Sequence, residues 1–148
     1  MIKTEDALLL TIDRFWESIP PVWNQIRGHL RSIAQEKFEI SVEQFHVLRH
    51  IRRGIRSVSD LATVKQISRS AISQSVDGLV EKGLISRRPH ADDRRFVELE
   101  LTPSGDDMLN AIFDENRAWM IEKMSALTPE ELAQMQQAFR LLKDAFQE

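Results

Sequence analysis

SRSAISQSVDGLVEKGLISRRPHADDRRFVELELTPSG, residues 68 to 105, changes its periodicity once, and the place of that change decides the fold. Up to Lys82 the apolar residues fall at Ile72, Val76, Leu79 and Val80, the spacing of a helix with one buried face. Ser68 stands at the N-cap position and Gly83 just past the C-terminal end. Beyond Gly83 the period drops to two. Leu84 to Arg88 and Phe96 to Leu101 read as short strands, the second with Val97, Leu99 and Leu101 inward and Phe96, Glu98 and Glu100 outward. The segment between them, Pro89-His90-Ala91-Asp92-Asp93-Arg94-Arg95, reads as a polar hairpin tip.

Upstream, Ser41 with Gln44 three residues on makes a capping box for a helix bearing Val42, Phe45, Leu48 and Ile51, ended by Gly54. Ser57 with Asp60 opens a shorter helix through Leu61, Ala62 and Val64. Downstream, Thr102-Pro103 starts a long helix through Met108, Ile112, Trp119, Met120, Met124 and Leu127. Thr128-Pro129-Glu130-Glu131 starts a last one, with Leu132, Met135, Phe139, Leu142 and Phe146 on one stripe. At the other end Thr4 opens a helix through Leu8, Leu9, Ile12, Phe15, Trp16 and Ile19. Pro20 and Pro21 then either kink it or begin a new helix, and the restart is the expectation.

A chain of 148 residues is one domain's worth, with no room for a separate cofactor module. Its 42% hydrophobic and 29% charged content is that of a folding sequence. With no cysteine, disulfides, thiolate metal sites, thiol redox triggers and cysteine nucleophiles all drop out. Neither a long apolar run nor a basic leader before one is visible, so a cytoplasmic protein without a membrane partner is expected. The net charge of -3 hides a segregation. Residues 49 to 95 hold eleven Lys or Arg against five acids, whereas the rest of the chain holds nine against eighteen. The middle third is a basic island between acidic flanks.

Residues 41 to 101 thus run helix, helix, helix, strand, charged tip, strand, the order of a winged helix-turn-helix. In that arrangement the third helix enters the DNA major groove and the tip reaches the adjacent minor groove. Docking Ile72, Val76 and Leu79 on a core turns Arg69, Ser70, Ser73, Gln74 and Asp77 outward. Asp77 is discordant on a face meant for phosphates, so it lies beyond the contact zone or pairs with a nearby cation. Arg87 either pairs with an acid or a helix end, or contacts a phosphate. The guanidinium groups of Arg94 and Arg95 suit a narrow A·T-rich minor groove, whose negative potential is enhanced.

The same stretch resembles the MarR family of bacterial transcriptional regulators, through the helix, "VEKGLISR", the wing "DDRR", the strand ending "LELT" and the downstream glycine. That resemblance implies a mainly α fold with a small β-hairpin wing. A winged helix-turn-helix region, 39–102, would be flanked by dimerisation helices at 1–38 and 103–148 in a single domain. It implies a homodimer reading a palindromic double-stranded operator, most often as a ligand-responsive repressor. The DNA contacts would come from Arg69, Ser70, Ser73, Gln74, Asp93, Arg94 and Arg95, with Asp93 orienting Arg95. The terminal helices carry more Leu, Met, Phe and Trp than a small winged domain can bury, which independently points to a two-fold interface.

Small aromatic or anionic effectors bind many such proteins between the winged region and the dimer helices. Trp16, Trp23, His46, His50 and Arg53 are the expected wall residues. His46 and His50 are also four apart, a spacing that can seat a metal, but HVLRH lacks a catalytic glutamate and sits among arginines. No phosphate loop, nucleophile triad or carboxylate pair stands out, so no enzyme, cofactor or metal is expected. The rival readings are a winged-helix protein-interaction module and a hydrolase built on the two histidines.

Overall fold

In the computed structural model, which describes residues 4–93 and 95–147, hydroxyl side chains start most of the helices. The order is α1 (Thr4–Phe38), α2 (Val42–Arg52), α3 (Val58–Lys65), α4 (Arg69–Glu81), β1 (Ile85–Pro89), β2 (Val97–Leu101), α5 (Pro103–Met124) and α6 (Pro129–Ala145). Ser41 Oγ accepts from Gln44 N at 3.0 Å while Gln44 Oε1 accepts from Ser41 N at 3.1 Å, closing the expected capping box. Ser57 accepts from Asp60 N and Ser68 from Ala71 N, each at 3.1 Å. Thr128 and Glu131 close a second box at 3.2 and 2.9 Å. Each cap satisfies backbone donors that the helix cannot, for about 1 kcal/mol.

The expected restart at Pro20-Pro21 does not occur: α1 runs unbroken for 35 residues with both prolines inside it. A new helix needs a cap before its first proline. Threonine supplies one at Thr102-Pro103 and Thr128-Pro129, but Ile19 precedes Pro20 and cannot. Continuing costs the two bonds that Pro20 and Pro21 cannot donate to the Trp16 and Glu17 carbonyls. Both of those residues are exposed, so water reaches the freed oxygens, and proline's fixed φ already matches the helix.

The chain forms two compact units, one reaching to Asn116 and one from Arg117 onward. In the first, the core gathers Leu30, Ile33 and Ala34 of α1, Phe45, Val47, Leu48 and Ile51 of α2, Leu61 of α3, and Ile72, Val76 and Leu79 of α4. Ile40, Ala62, Leu84, Ile85, Leu99, Leu109 and Ile112 complete it. Strands β1 and β2 pair antiparallel in the register Ile85 with Leu101 through Pro89 with Val97. Leu99 N also donates to Arg56 O at 2.7 Å, tying the α2–α3 loop to the sheet.

Of the three residues expected inward on β2, Leu99 is buried and Leu101 half-buried, but Val97 is 50% exposed. The hairpin outruns the core there, so alternation continues with nothing left to cover it. The expected reach of α5 to Leu127 is also shortened, since the helix ends at Met124.

Gly83 and Gly105 lock the join between α4, the wing and α5. Gly83 takes a φ of +73°, which ends α4 in a left-handed turn. A Cβ on Gly105 would stand 2.0 Å from Leu84 O, so only glycine lets α5 start against β1. Thr102 completes the corner: its hydroxyl donates to Gly83 O at 2.6 Å and accepts from Gly105 N at 3.1 Å. In the second unit α6 buries no residue, and Phe139, Leu141 and Phe146 are exposed.

Candidate nucleic-acid interface

Helix α4 has the two faces its sequence implies. Ile72, Val76 and Leu79 are fully buried, while Arg69, Ser70 and Gln74 are exposed and Ser73 is half-buried. Asp77 also faces outward, and its carboxylate forms an ion pair with Arg87 of β1. That pairing removes the discordance, because the acid is neutralised before any phosphate approaches.

At the wing, Asp93 holds Arg95. The Arg95 Nε donates to both carboxylate oxygens at 3.0 and 3.2 Å, its Nη2 donates at 2.7 Å and its backbone N at 3.0 Å. These hydrogen bonds hold the Asp93 carboxyl below the usual range and push the Arg95 guanidinium above it. The Arg95 side chain is 85% exposed against 31% for Asp93, so the cation projects while the acid sits beneath it. Asp92 N donates to His90 Nδ1 at 3.1 Å, and His90 N donates to Phe96 O at 2.8 Å, closing the turn. Arg94, the other expected wing cation, lies outside the described residues.

Between α4 and the wing runs a groove of about 390 Å³ lined by Ser57, Val58 and Ser59 of the α3 start, Arg69 and Ser73 of α4, Arg87, Arg95, Phe96, Val97 and Leu99. It brings Arg69, Ser73 and Arg95 to one concavity, whereas Ser70 and Gln74 stand on the exposed face beside it. Ser57, Ser59, Phe96 and Val97 are additions that sequence reasoning missed. Ser57 was legible only as a cap, and nothing in the spacing shows that α3 begins opposite the wing.

The expected effector residues are only partly gathered. A small cavity of about 40 Å³ between α1 and α2 is lined by Trp23, Arg27, Leu30, Arg31, Val42, Phe45, His46 and Arg49. It holds Trp23 and His46 but not Trp16, His50 or Arg53. Trp16 is 66% exposed and packs edge-on against Phe15 at 5.4 Å. Arg27, Arg31 and Arg49 are the residues the sequence did not single out. Arg49 lies 5.6 Å from the Phe45 ring and 5.7 Å from the Phe113 ring, a cation between two aromatic faces.

Burial pushes His46 down to about 4, with Lys65, Arg49, His50 and Arg27 adding to the effect. His50 is lowered in the same way, against a smaller opposing pull from Glu43. Among the described residues no three His, Cys, Asp or Glu side chains gather as a metal site requires. Nor is any helix there long and apolar enough to cross a membrane.

A capped helix pair, an outward polar face on the second helix and a cation-tipped hairpin beside it define a winged helix-turn-helix protein. A MarR family model matches residues 38–95. The chain is 32% identical over 134 residues to the HTH-type transcriptional repressor MdtR of Bacillus subtilis, covering 90% of this chain and 84% of the relative. It is 34% identical over 101 residues to the multiple antibiotic resistance protein MarR of Salmonella typhimurium, covering 64% and 70%. Among solved structures, wild-type MarR of E. coli in its apo form superposes with a TM-score of 0.66 at 27% identity, covering 84% of this chain and 90% of that one. The chain belongs to the MarR family and is a DNA-binding transcriptional regulator.

Proposed function

We propose that this regulator is a homodimeric, ligand-responsive repressor that binds a palindromic operator in the cytoplasm. The observation that carries the DNA contact is the convergence of Arg69, Ser73 and Arg95 on one groove, with Ser70 and Gln74 on the exposed face of α4. Helix α4 reads base edges in the major groove. The wing sends Arg95, held by Asp93, or its neighbour Arg94 into the minor groove. The repressor role is supported by the relative named as one.

Dimerisation is supported by the exposed apolar residues of the terminal helices, among them Leu8, Leu9, Ile12 and Trp16 of α1 and Phe139 of α6. Residues 1–38 and 103–148 serve as the dimer arms and 39–102 as the reading head. An aromatic or anionic effector enters at Trp23 and His46, where Arg27, Arg31 and Arg49 supply positive charge; the roles expected of Trp16, His50 and Arg53 would need contacts outside this cavity. By binding one dimer geometry better than the other, it lowers the DNA-competent population by its differential affinity.

The test is a gel-shift titration over salt with an inverted-repeat duplex and a scrambled one. The expected result is tighter binding to the repeat, with affinity falling by roughly 0.9 log units per phosphate contact per decade of salt. Arg95→Ala is expected to cost about 1–3 kcal/mol on the repeat. Equal binding to both duplexes, or no salt dependence, overturns the reading in favour of a protein-interaction module.

A further inference from the structure

Phe96 stands at the tip end of the hairpin, just beyond the outermost pair Pro89–Val97, with 63% of its surface exposed, beside Val97 at 50%. Folding does not need the ring there, since Leu84, Ile85 and Leu99 supply the core beneath the hairpin. Its backbone is nonetheless fixed. Phe96 N donates to Asp93 O at 3.1 Å and its carbonyl accepts from His90 N at 2.8 Å. The ring is therefore presented next to the Asp93–Arg95 pair by a closed turn rather than by a loose loop.

The groove it borders mixes the cations and hydroxyls of Arg69, Ser73, Arg87 and Arg95 with the apolar Val58, Val97 and Leu99. Arg87 and Arg95 already have their charges opposed by Asp77 and Asp93. An apolar protein segment filling this groove would strip water from three guanidiniums without replacing it. A nucleic-acid backbone instead offers phosphates to the cations and the hydrocarbon face of a sugar to the ring. The position selects the sugar over a base, because whatever crosses from the helix in one groove to the wing in the next is backbone.

We propose that Phe96 is a DNA-contact residue, its ring packed on a deoxyribose of the backbone segment that runs between α4 and the wing. This rests on the DNA-reading mode proposed above and adds a contact that carries no charge. An apolar contact differs from an ionic one in a measurable way: it changes affinity without changing the number of counterions released.

The experiment uses the full-length protein and a duplex selected by it from random sequence, with fluorescence anisotropy across a salt series. Phe96→Ala is expected to weaken binding about tenfold at every salt concentration, the scale of leaving part of a phenyl ring in water. The salt slope stays at the wild-type value, and Phe96→Leu recovers most of the loss. Arg69→Ala, the ionic comparison, lowers the slope by roughly one phosphate contact. Wild-type affinity in Phe96→Ala overturns the proposal while leaving the DNA reading intact. A reduced slope in that variant also overturns it, since the residue would then be acting through Arg95. Failure of the wild-type protein to bind any selected duplex defeats the DNA reading itself, and the inference with it.

Discussion

At the scale of single residues, charge is placed by pairing. Asp77 and Asp93 are acids on a face that must meet phosphates, and each opposes an arginine, Arg87 and Arg95. The Asp93–Arg95 pair is one that the family resemblance implied, and it closes within a single turn. The Asp77–Arg87 pair spans a helix end and a strand, and only folding brings it together. His46 gives a residue-scale prediction. Its folded value of about 4 lies below the usual 6.5, chiefly through burial and then through Lys65, Arg49, His50 and Arg27. The unfolded chain therefore binds a proton that the folded one refuses as pH falls between those values. This contribution to stability is complete above about 6.5 and lost toward about 4. Melting temperature followed from pH 7 to pH 4 should fall, and His46→Gln should flatten that fall. A parallel fall in the variant would assign the effect to other groups.

At the scale of elements, local rules served wherever a cap or a turn decides the outcome. Ser41, Ser57, Ser68 and Thr128 each start the helix expected of them. They failed where a penalty had to be compared with an alternative. Pro20 and Pro21 argue against a helix by themselves, but with Ile19 before them a restart has no cap, and α1 continues. The strand rule failed at Val97 for a different reason: alternation describes the backbone, and burial needs something on the inward side. Gly105 is a prediction at this scale. Gly105→Ala places a methyl group against the Leu84 carbonyl, where backbone rather than a flexible side chain must yield. Urea denaturation should show a loss of about 2 kcal/mol or more, the upper range for overpacking. A variant as stable as the wild type would mean that α5 shifts freely away from β1.

At the scale of the whole molecule, the net charge of -3 is the sum of unlike parts. A surplus of six positive charges lies between residues 49 and 95, while residues 96 to 148 hold eleven acids against four bases. That polarity favours approach to DNA by the basic region, while the acidic surplus of residues 96 to 148 is repelled by phosphates. The exposed Leu8, Leu9, Ile12, Trp16 and Phe139 predict a dimer. Light scattering at micromolar concentration should give twice the chain mass of 17.2 kDa. Trp16→Glu combined with Phe139→Glu should shift the protein toward monomer and weaken operator binding. A wild-type monomer would remove the two-fold model.

The sequence by itself determined the order of elements and the buried face of α4, and through its family resemblance it implied the wing's pairing of acid with arginine. Each of these is a local pattern: a cap, a period, or two residues in one turn. Only the tertiary structure decided that α1 runs through two prolines and that Asp77 holds Arg87. It also decided that the α3 start faces the wing across a groove, that Phe96 is presented at its edge, and that Trp23 and His46, but not Trp16, line the α1–α2 cavity. These depend on which surfaces meet and which alternatives have no cap or cover, and no spacing along a chain encodes the distance between segments that fold back on each other.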